Sequence, residues 1–258
     1  MKLRVVISKD ASFANFLRIV MSLEKWPWLK TGLFAKIPPA LMKKAGKFFK
    51  LTDKLSFEKH PKYDLKSKGD LDKVISEVQA IHDAIWKERI LELNEFQVDL
   101  QNLLRIYGVS ITNYIKSETK IDWATDRIEI IPSIYEGGAA VKGKVFVGLF
   151  QPKPHLLATL IHEMIHINTP WTKKESKLKY QDSREIAVTL ITNKTIDRLN
   201  KKFRTKEVYQ DWDLSYSSKV KALQEELYDI GAEKKSYHDI LSAVDTLLAR
   251  KKYKPAFK

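Results

Sequence analysis

The sequence predicts an α+β fold: a small sheet with a backing helix, a second helix bearing polar residues in an apolar run, and mostly helical flanking N- and C-terminal regions. Three observations predict it. Apolar residues recur at helical spacing after Asp70 (Leu71, Val74, Ile75, Val78, Ile81, Ile85) and again near 93–117 (Phe96, Leu100, Leu103, Leu104, Tyr107). Two β-branched runs, 127–131 and 142–149, read as strands separated by a Gly137-Gly138 turn. Finally, Leu157, Leu160, Ile161 and Ile167 enclose the stretch His162-Glu163-Met164-Ile165-His166 on what reads as one helix.

The order along the chain begins with a basic aromatic N-terminal region, 1–65. It carries Phe13, Phe16, Trp26, Trp28, Phe34, Phe48 and Phe49, with Pro27, Pro38 and Pro39 dividing it into short pieces. Residues 1–60 hold a net charge of +9, residues 171–258 hold +7, and the middle holds −2, within a total of +14. Lys outnumbers Arg 37 to 9, which favours a solvated face over bidentate phosphate recognition. An anionic partner for residues 1–60, either nucleic acid or an anionic surface, is the alternative that this charge leaves open. The polar stretch 57–69 reads as a linker, Asp70 as a helix cap, and residues 66–258 as the main domain with its C-terminal helices. His82 and Trp86 fall on the apolar stripe of the first long helix and read as core. Helices are expected at 183–204, 217–230 and 236–252. The chain has no cysteine, which excludes disulfide and thiol chemistry. Its apolar runs are too short for a transmembrane segment, and Met1–Asp10 lacks an uninterrupted signal core. The expected setting is therefore cytoplasmic or otherwise intracellular.

The chemistry is concentrated in H-E-x-x-H. Residues four apart share a helix face, so His162 and His166 can address one ion. Glu163 is close enough to reach a water bound to that ion. Two imidazoles and a carboxylate base at this spacing suit a zinc site with an open position. Pro154 suits the first turn of the helix, and Asn168-Thr169-Pro170 ends it, with Asn168 tolerating a left-handed cap. His155 lies two turns before His162 and reads as a solvated first-turn residue.

A third protein ligand is needed, and the next histidine, His238, is seventy-two residues beyond His166. Thr169 and Thr172 occupy the positions that a third-histidine motif would fill with Gly and His. The carboxylates that follow are Glu175, Asp182 and Glu185. Glu185 ranks first because it sits in the opening turn of the next amphipathic helix; Asp182 ranks second and Glu175, in a charged loop, third.

H-E-x-x-H followed about twenty residues later by Glu on a second helix resembles the gluzincin group of zinc metallopeptidases, over roughly residues 125–205. The resemblance implies a zincin-like fold and a peptide or protein substrate. It also implies Zn2+ held by His162, His166 and Glu185, with Glu163 as general base. Members of the group often carry Asp four residues after the ligand Glu; Thr189 stands there in this chain. A downstream Tyr or His supplies the oxyanion donor in such enzymes, and Tyr180, Tyr209, Tyr216, Tyr237 and His238 are the candidates, with Tyr180 and His238 foremost. The segment entering the active-site helix resembles the edge strand on which zinc peptidases hold extended peptides. The expected function is thus a zinc peptidase, with latency through a flanking segment over the cleft as a variant. The alternative is a non-catalytic or vestigial zinc protein that binds nucleic acid or an anionic surface through its basic N-terminus.

Overall fold

The computed structural model describes residues 1–23, 34–35, 37–49, 68–135, 138–141, 143–149, 153–170, 178, 180, 182–204 and 218–253. The fold is mixed α and β, mostly helical, with one four-stranded mixed sheet. In chain order the elements are β1 (Lys2–Val5), α1 (Lys9–Ser22), α2 (Pro39–Gly46), α3 (Lys68–Thr119), β2 (Arg127–Ser133), β3 (Gly138–Val141) and β4 (Lys144–Gly148). They continue with α4 (Lys153–Asn168), α5 (Asp182–Phe203), α6 (Ser218–Lys221), α7 (Gln224–Glu233) and α8 (Tyr237–Arg250).

The sheet order is β1-β2-β4-β3. β1 and β2 run parallel with Leu3 opposite Ile128, and β2 and β4 run parallel with Ile130 opposite Val145. β3 returns antiparallel to β4, placing Gly138 opposite Val147. The two expected strands correspond to β2 and β4, but Gly138, expected in a turn, opens a further strand, β3, before β4. β3 is built of small residues, Gly-Ala-Ala-Val, so it lacks the β-branched signature that marks its neighbours. Its insertion makes β2 and β4 parallel neighbours. β4, the strand that enters α4, is therefore interior, and β3 is the edge. Gly143 closes the β3–β4 turn at φ +77°, a conformation that costs glycine nothing.

Both faces of the sheet are covered, which is why β2 and β4 read as nearly continuous apolar runs. Ile128, Ile130, Val145 and Val147 join a core shared with α4, α5, α8 and the C-terminal half of α3. Ile131 and Phe146 join a second core with α1, α2 and the N-terminal half of α3. The sequence suggests two helical stretches before β2; the structure has a single 52-residue helix, about 78 Å long at 1.5 Å per residue. No proline falls between Pro61 and Pro132 to break it, and 87–93 is made of good helix formers. The stripe that appears to lapse there is the hand-over from one core to the other: Trp86 and Leu93 belong to the second core, Leu100 and Ile111 to the first.

Residues of the basic aromatic region take part in this architecture. β1 pairs in the sheet, and α1, capped by Ser8 accepting from the Ala11 N–H, packs on α2, α3 and β2. Phe13, Phe16 and Phe34 are buried, and Phe13 and Phe16 pack on His82. Trp26 and Trp28 lie outside the described residues. At the C-terminal end, α5 and α8 match the expected helices, and the stretch expected at 217–230 divides into α6 and α7. No helix among the described residues is long and apolar enough to cross a membrane.

His82 is fully buried, with Nε2 3.2 Å from Ser12 Oγ and Trp86 stacked on its ring. Burial lowers its pKa to about 4, against the opposing pull of Asp83. Lys9 and Asp10 are the other charges that face it, and their effects oppose each other. The unfolded ring titrates near 6.5, so between that value and about 4 the unfolded chain binds more proton than the folded one. Stability should therefore fall as pH drops from 7 to 4. Chemical unfolding of His82→Phe should show a pH-dependent loss smaller than that of the unsubstituted chain by about 1–3 kcal/mol over this range; identical pH profiles would contradict the buried neutral ring.

Candidate metal centre

α4 is held by its apolar face. Leu157, Leu160, Ile161, Met164 and Ile165 are fully buried, and the remaining face carries His162, Glu163 and His166. The helix ends at Asn168 as expected, although not through a left-handed cap: the described non-glycine residues with positive φ are Lys120, Arg204 and Lys252. Instead the Asn168 side chain donates to the Ile121 carbonyl at 3.2 Å, tying the end of α4 to the segment after α3. α5 packs beside α4 through Ile186, Ala187, Leu190 and Ile191, and its first turn delivers Glu185.

Three donor atoms converge between the two helices. His162 Nε2 and His166 Nε2 are 3.1 Å apart, and Glu185 Oε2 lies 3.5 Å from the former and 3.3 Å from the latter. Bonds of about 2.0–2.1 Å meeting at a tetrahedral angle place their donor atoms about 3.4 Å apart. The triangle matches that spacing, so the residues present fit a tetrahedral ion with one position left open. Among the described residues no other group of His, Cys, Asp or Glu gathers in this way. Asp182, the second-ranked carboxylate, is engaged elsewhere, its Oδ2 accepting from the Tyr253 hydroxyl at 2.7 Å. Glu175 lies outside the described residues.

The triad opens onto a cavity of about 530 Å³. Glu163 lines it, half-buried, on the α4 face next to His162. Burial pushes its carboxyl up to about 7; His162 opposes this, Glu185 adds to it, and Arg18 and Arg184 oppose it more weakly. Glu185 behaves in the opposite way. Burial would raise its pKa, but hydrogen bonds and charge from His162 and His166 outweigh this and hold it well below the usual carboxylate range. Two glutamates within one site are thus driven apart, one kept ionised and one poised to hold a proton near neutrality.

The edge strand β3 forms one wall, with Gly138, Ala139 and Ala140 lining the cavity. Gly138 is there because α4 comes very close. A Cβ at this position would lie 2.5 Å from Thr159 Cγ2 and 2.8 Å from Glu163 Oε1. Two cations also line it, Arg18 from α1 and Arg184 from α5. The reading of the sequence misses both. Arg18 is a lone cation in the otherwise apolar run Phe16-Leu-Arg-Ile-Val20, and Arg184 immediately precedes Glu185; those are the signals available for finding them.

The described oxyanion candidates lie elsewhere. Tyr180 is buried in the first core with its ring against Tyr253, and its backbone N–H donates to Asp245. Tyr237 is buried at the start of α8, and His238 beside it is exposed. None of the three lines the cavity. Tyr209 and Tyr216 fall outside the described residues. His155 is exposed at the start of α4, as expected of a solvated residue. Thr189 is buried on α5.

No protein-family model, curated protein or solved structure matches this chain.

The contact at Gly138 generates a direct test. Gly138→Ala should displace Thr159 and the Glu163 carboxylate, costing about 1–3 kcal/mol of stability in chemical unfolding. Gly143→Ala, which faces open space but requires a left-handed backbone, should cost about 1–2 kcal/mol through strain alone. The two can be told apart by the titration of Glu163, followed by NMR of a selectively labelled sample: only Gly138→Ala should move it.

Proposed function

We propose that this protein is a zinc-dependent peptidase of gluzincin type, hydrolysing a peptide bond in the cavity between β3, α4 and α5. The observation that carries the reading is the triangle of His162, His166 and Glu185 donor atoms at 3.1–3.5 Å. It supports zinc because two imidazole nitrogens and one carboxylate oxygen with a free fourth position are the donor set of catalytic zinc. Bound there, zinc would lower the pKa of a water and polarise a carbonyl.

The chain's own groups then have defined tasks. Glu163 is within one residue of His162 and has a proton affinity near neutrality, which suits taking a proton from the attacking water and returning it to the leaving amine. Glu185 stays ionised and holds the two imidazoles in register. β3, an edge strand with small side chains along the cavity, offers backbone groups to an extended peptide. The small side chains of β3 keep its cavity-lining backbone within reach of a substrate's main chain.

Two substitutions test the reading. Glu163→Gln should lower kcat by about 10²–10⁴-fold on a quenched fluorescent peptide library while keeping one zinc per chain by elemental analysis. Glu185→Ala should weaken zinc binding by more than about tenfold, read by competition with a chromogenic chelator. A chain that stays metal-free after equilibration with excess zinc, or full hydrolysis by Glu163→Gln, would overturn the assignment.

A further inference from the structure

Hydrolysis of an amide puts negative charge on the carbonyl oxygen as water adds, and a donor aimed at that oxygen from outside the ion lowers the barrier. Tyr180, Tyr237 and His238 do not line the cavity, whereas Arg18 does. Arg18 is half-buried on the otherwise almost wholly buried α1, among Phe16, Leu17, Ile19 and Val20. Its Nε donates to Asn15 Oδ1 at 3.1 Å. Among the described residues the terminal nitrogens of its guanidinium have no hydrogen-bond acceptor. Asn15 is fully buried, and its Nδ2 has no hydrogen-bond partner among the described residues. A buried donor left without an acceptor is destabilising, so packing alone would favour an apolar residue at this position. What Asn15 supplies is an acceptor that fixes the guanidinium plane one turn along α1. The other lining cation, Arg184, is engaged with the Thr169 carbonyl at 2.7 Å. A charged donor that is oriented and partly desolvated before the reaction needs no rearrangement as charge develops opposite it.

We infer that Arg18 is a catalytic residue whose terminal N–H groups stabilise the scissile carbonyl oxygen as it becomes negative, with Asn15 the positioning residue that aims them. The inference rests on the peptidase reading. As water adds to the carbonyl carbon, one of its protons passes to Glu163 and the C=O π pair moves onto the oxygen, to which Arg18 donates. When that pair returns and the C=O bond re-forms, the C–N bond breaks and the proton held by Glu163 goes to the leaving amine. Arg18 keeps its own protons throughout, as a guanidinium does. Its hydrogen bonds strengthen as the oxygen gains charge, so Arg18 acts on kcat and not on KM.

The test uses the full zinc-loaded chain and a quenched fluorescent library of peptides blocked at both ends and free of Asp and Glu, so that no substrate carries a carboxylate. On the peptide cleaved fastest, Arg18→Gln should lower kcat by about 10²–10³-fold at unchanged KM and zinc content. Calorimetry reads binding separately. The probe is the phosphinic analogue of that peptide, whose charged tetrahedral oxygens stand in place of the scissile carbonyl. Arg18→Gln should weaken its binding by a similar factor; the same substitution in the Glu163→Gln chain should leave the affinity for the intact peptide unchanged. Arg18→Lys, which keeps the charge without the fork, should recover part of both losses and guards against a folding defect in the Gln variant. Asn15→Ala should lower kcat by about tenfold at unchanged KM, and should cost nothing further when added to Arg18→Gln. Unchanged kcat in Arg18→Gln, a rise in KM alone, or equal losses of affinity for the intact peptide and its analogue would overturn the role of Arg18. Additive losses at Asn15 and Arg18 would overturn the positioning role. A library left uncut by the unsubstituted chain would overturn the peptidase reading and this assignment with it. A library cut by that chain and equally by Arg18→Gln would overturn this assignment alone.

Discussion

The packing of α5 against α4 is the constraint on which the site depends. Each helix buries a broad apolar face, Leu157 to Ile165 on one and Ile186 to Ile191 on the other, within one core. That packing fixes the distance between two helix axes, and the 3.6-residue period then decides which side chains meet. Two imidazoles one turn apart and a carboxylate in the first turn of the neighbour come together at hydrogen-bonding range. Bringing such groups into a half-buried cleft is costly unless each finds partners, and here they partner one another. The rest of the helix pair is apolar and closely packed, so the triangle is held by the frame and not assembled by the ligand. Ligand donors already at tetrahedral spacing need little reorganisation to accept an ion.

The same frame separates the two glutamates. Both are carboxylates near the same imidazoles, but Glu185 accepts from His162 and His166 while Glu163 faces the backbone of β3 at Gly138. A carboxylate that accepts hydrogen bonds keeps its charge; one buried without such bonds resists ionisation. The difference follows from position alone: one residue along α4 from His162, against the opening turn of α5. Gly138 therefore acts on chemistry as well as packing, since the close approach of β3 is what desolvates Glu163.

Much of this was legible in the amino-acid sequence, and for identifiable reasons. H-E-x-x-H on an apolar helix is legible because helical periodicity converts spacing into proximity. Glu185 is legible because the apolar stripe of α5 begins at its own first turn. The strands β2 and β4 are visible as β-branched runs because both faces of the sheet are covered. β1 was missed because four residues, Lys-Leu-Arg-Val, carry too little pattern, and β3 because its small residues are selected by the closeness of α4. The continuity of α3 was hidden by a stripe that changes cores at Leu93, where the helix stays intact although its apolar partners change. Residue type and order along the chain bring forward Tyr180 and His238 as oxyanion candidates, and neither property encodes which side chains reach the cavity.

Arg18 shows most clearly what sequence position cannot convey. It lies 144 residues before His162, on an element that reaches the site only because β1 joins the sheet beside β2 and turns α1 back across the face opposite α4. A cation in a buried helix is costly to desolvate, and among the described residues Arg18 donates to one neutral acceptor, Asn15. Glu163 is near enough to feel its charge, yet a carboxyl poised near neutrality is at best a part-time counter-ion. The first turn of α5 carries Arg184 beside Glu185, so the helix that supplies the acidic member of the triangle also brings a second positive charge to the cavity.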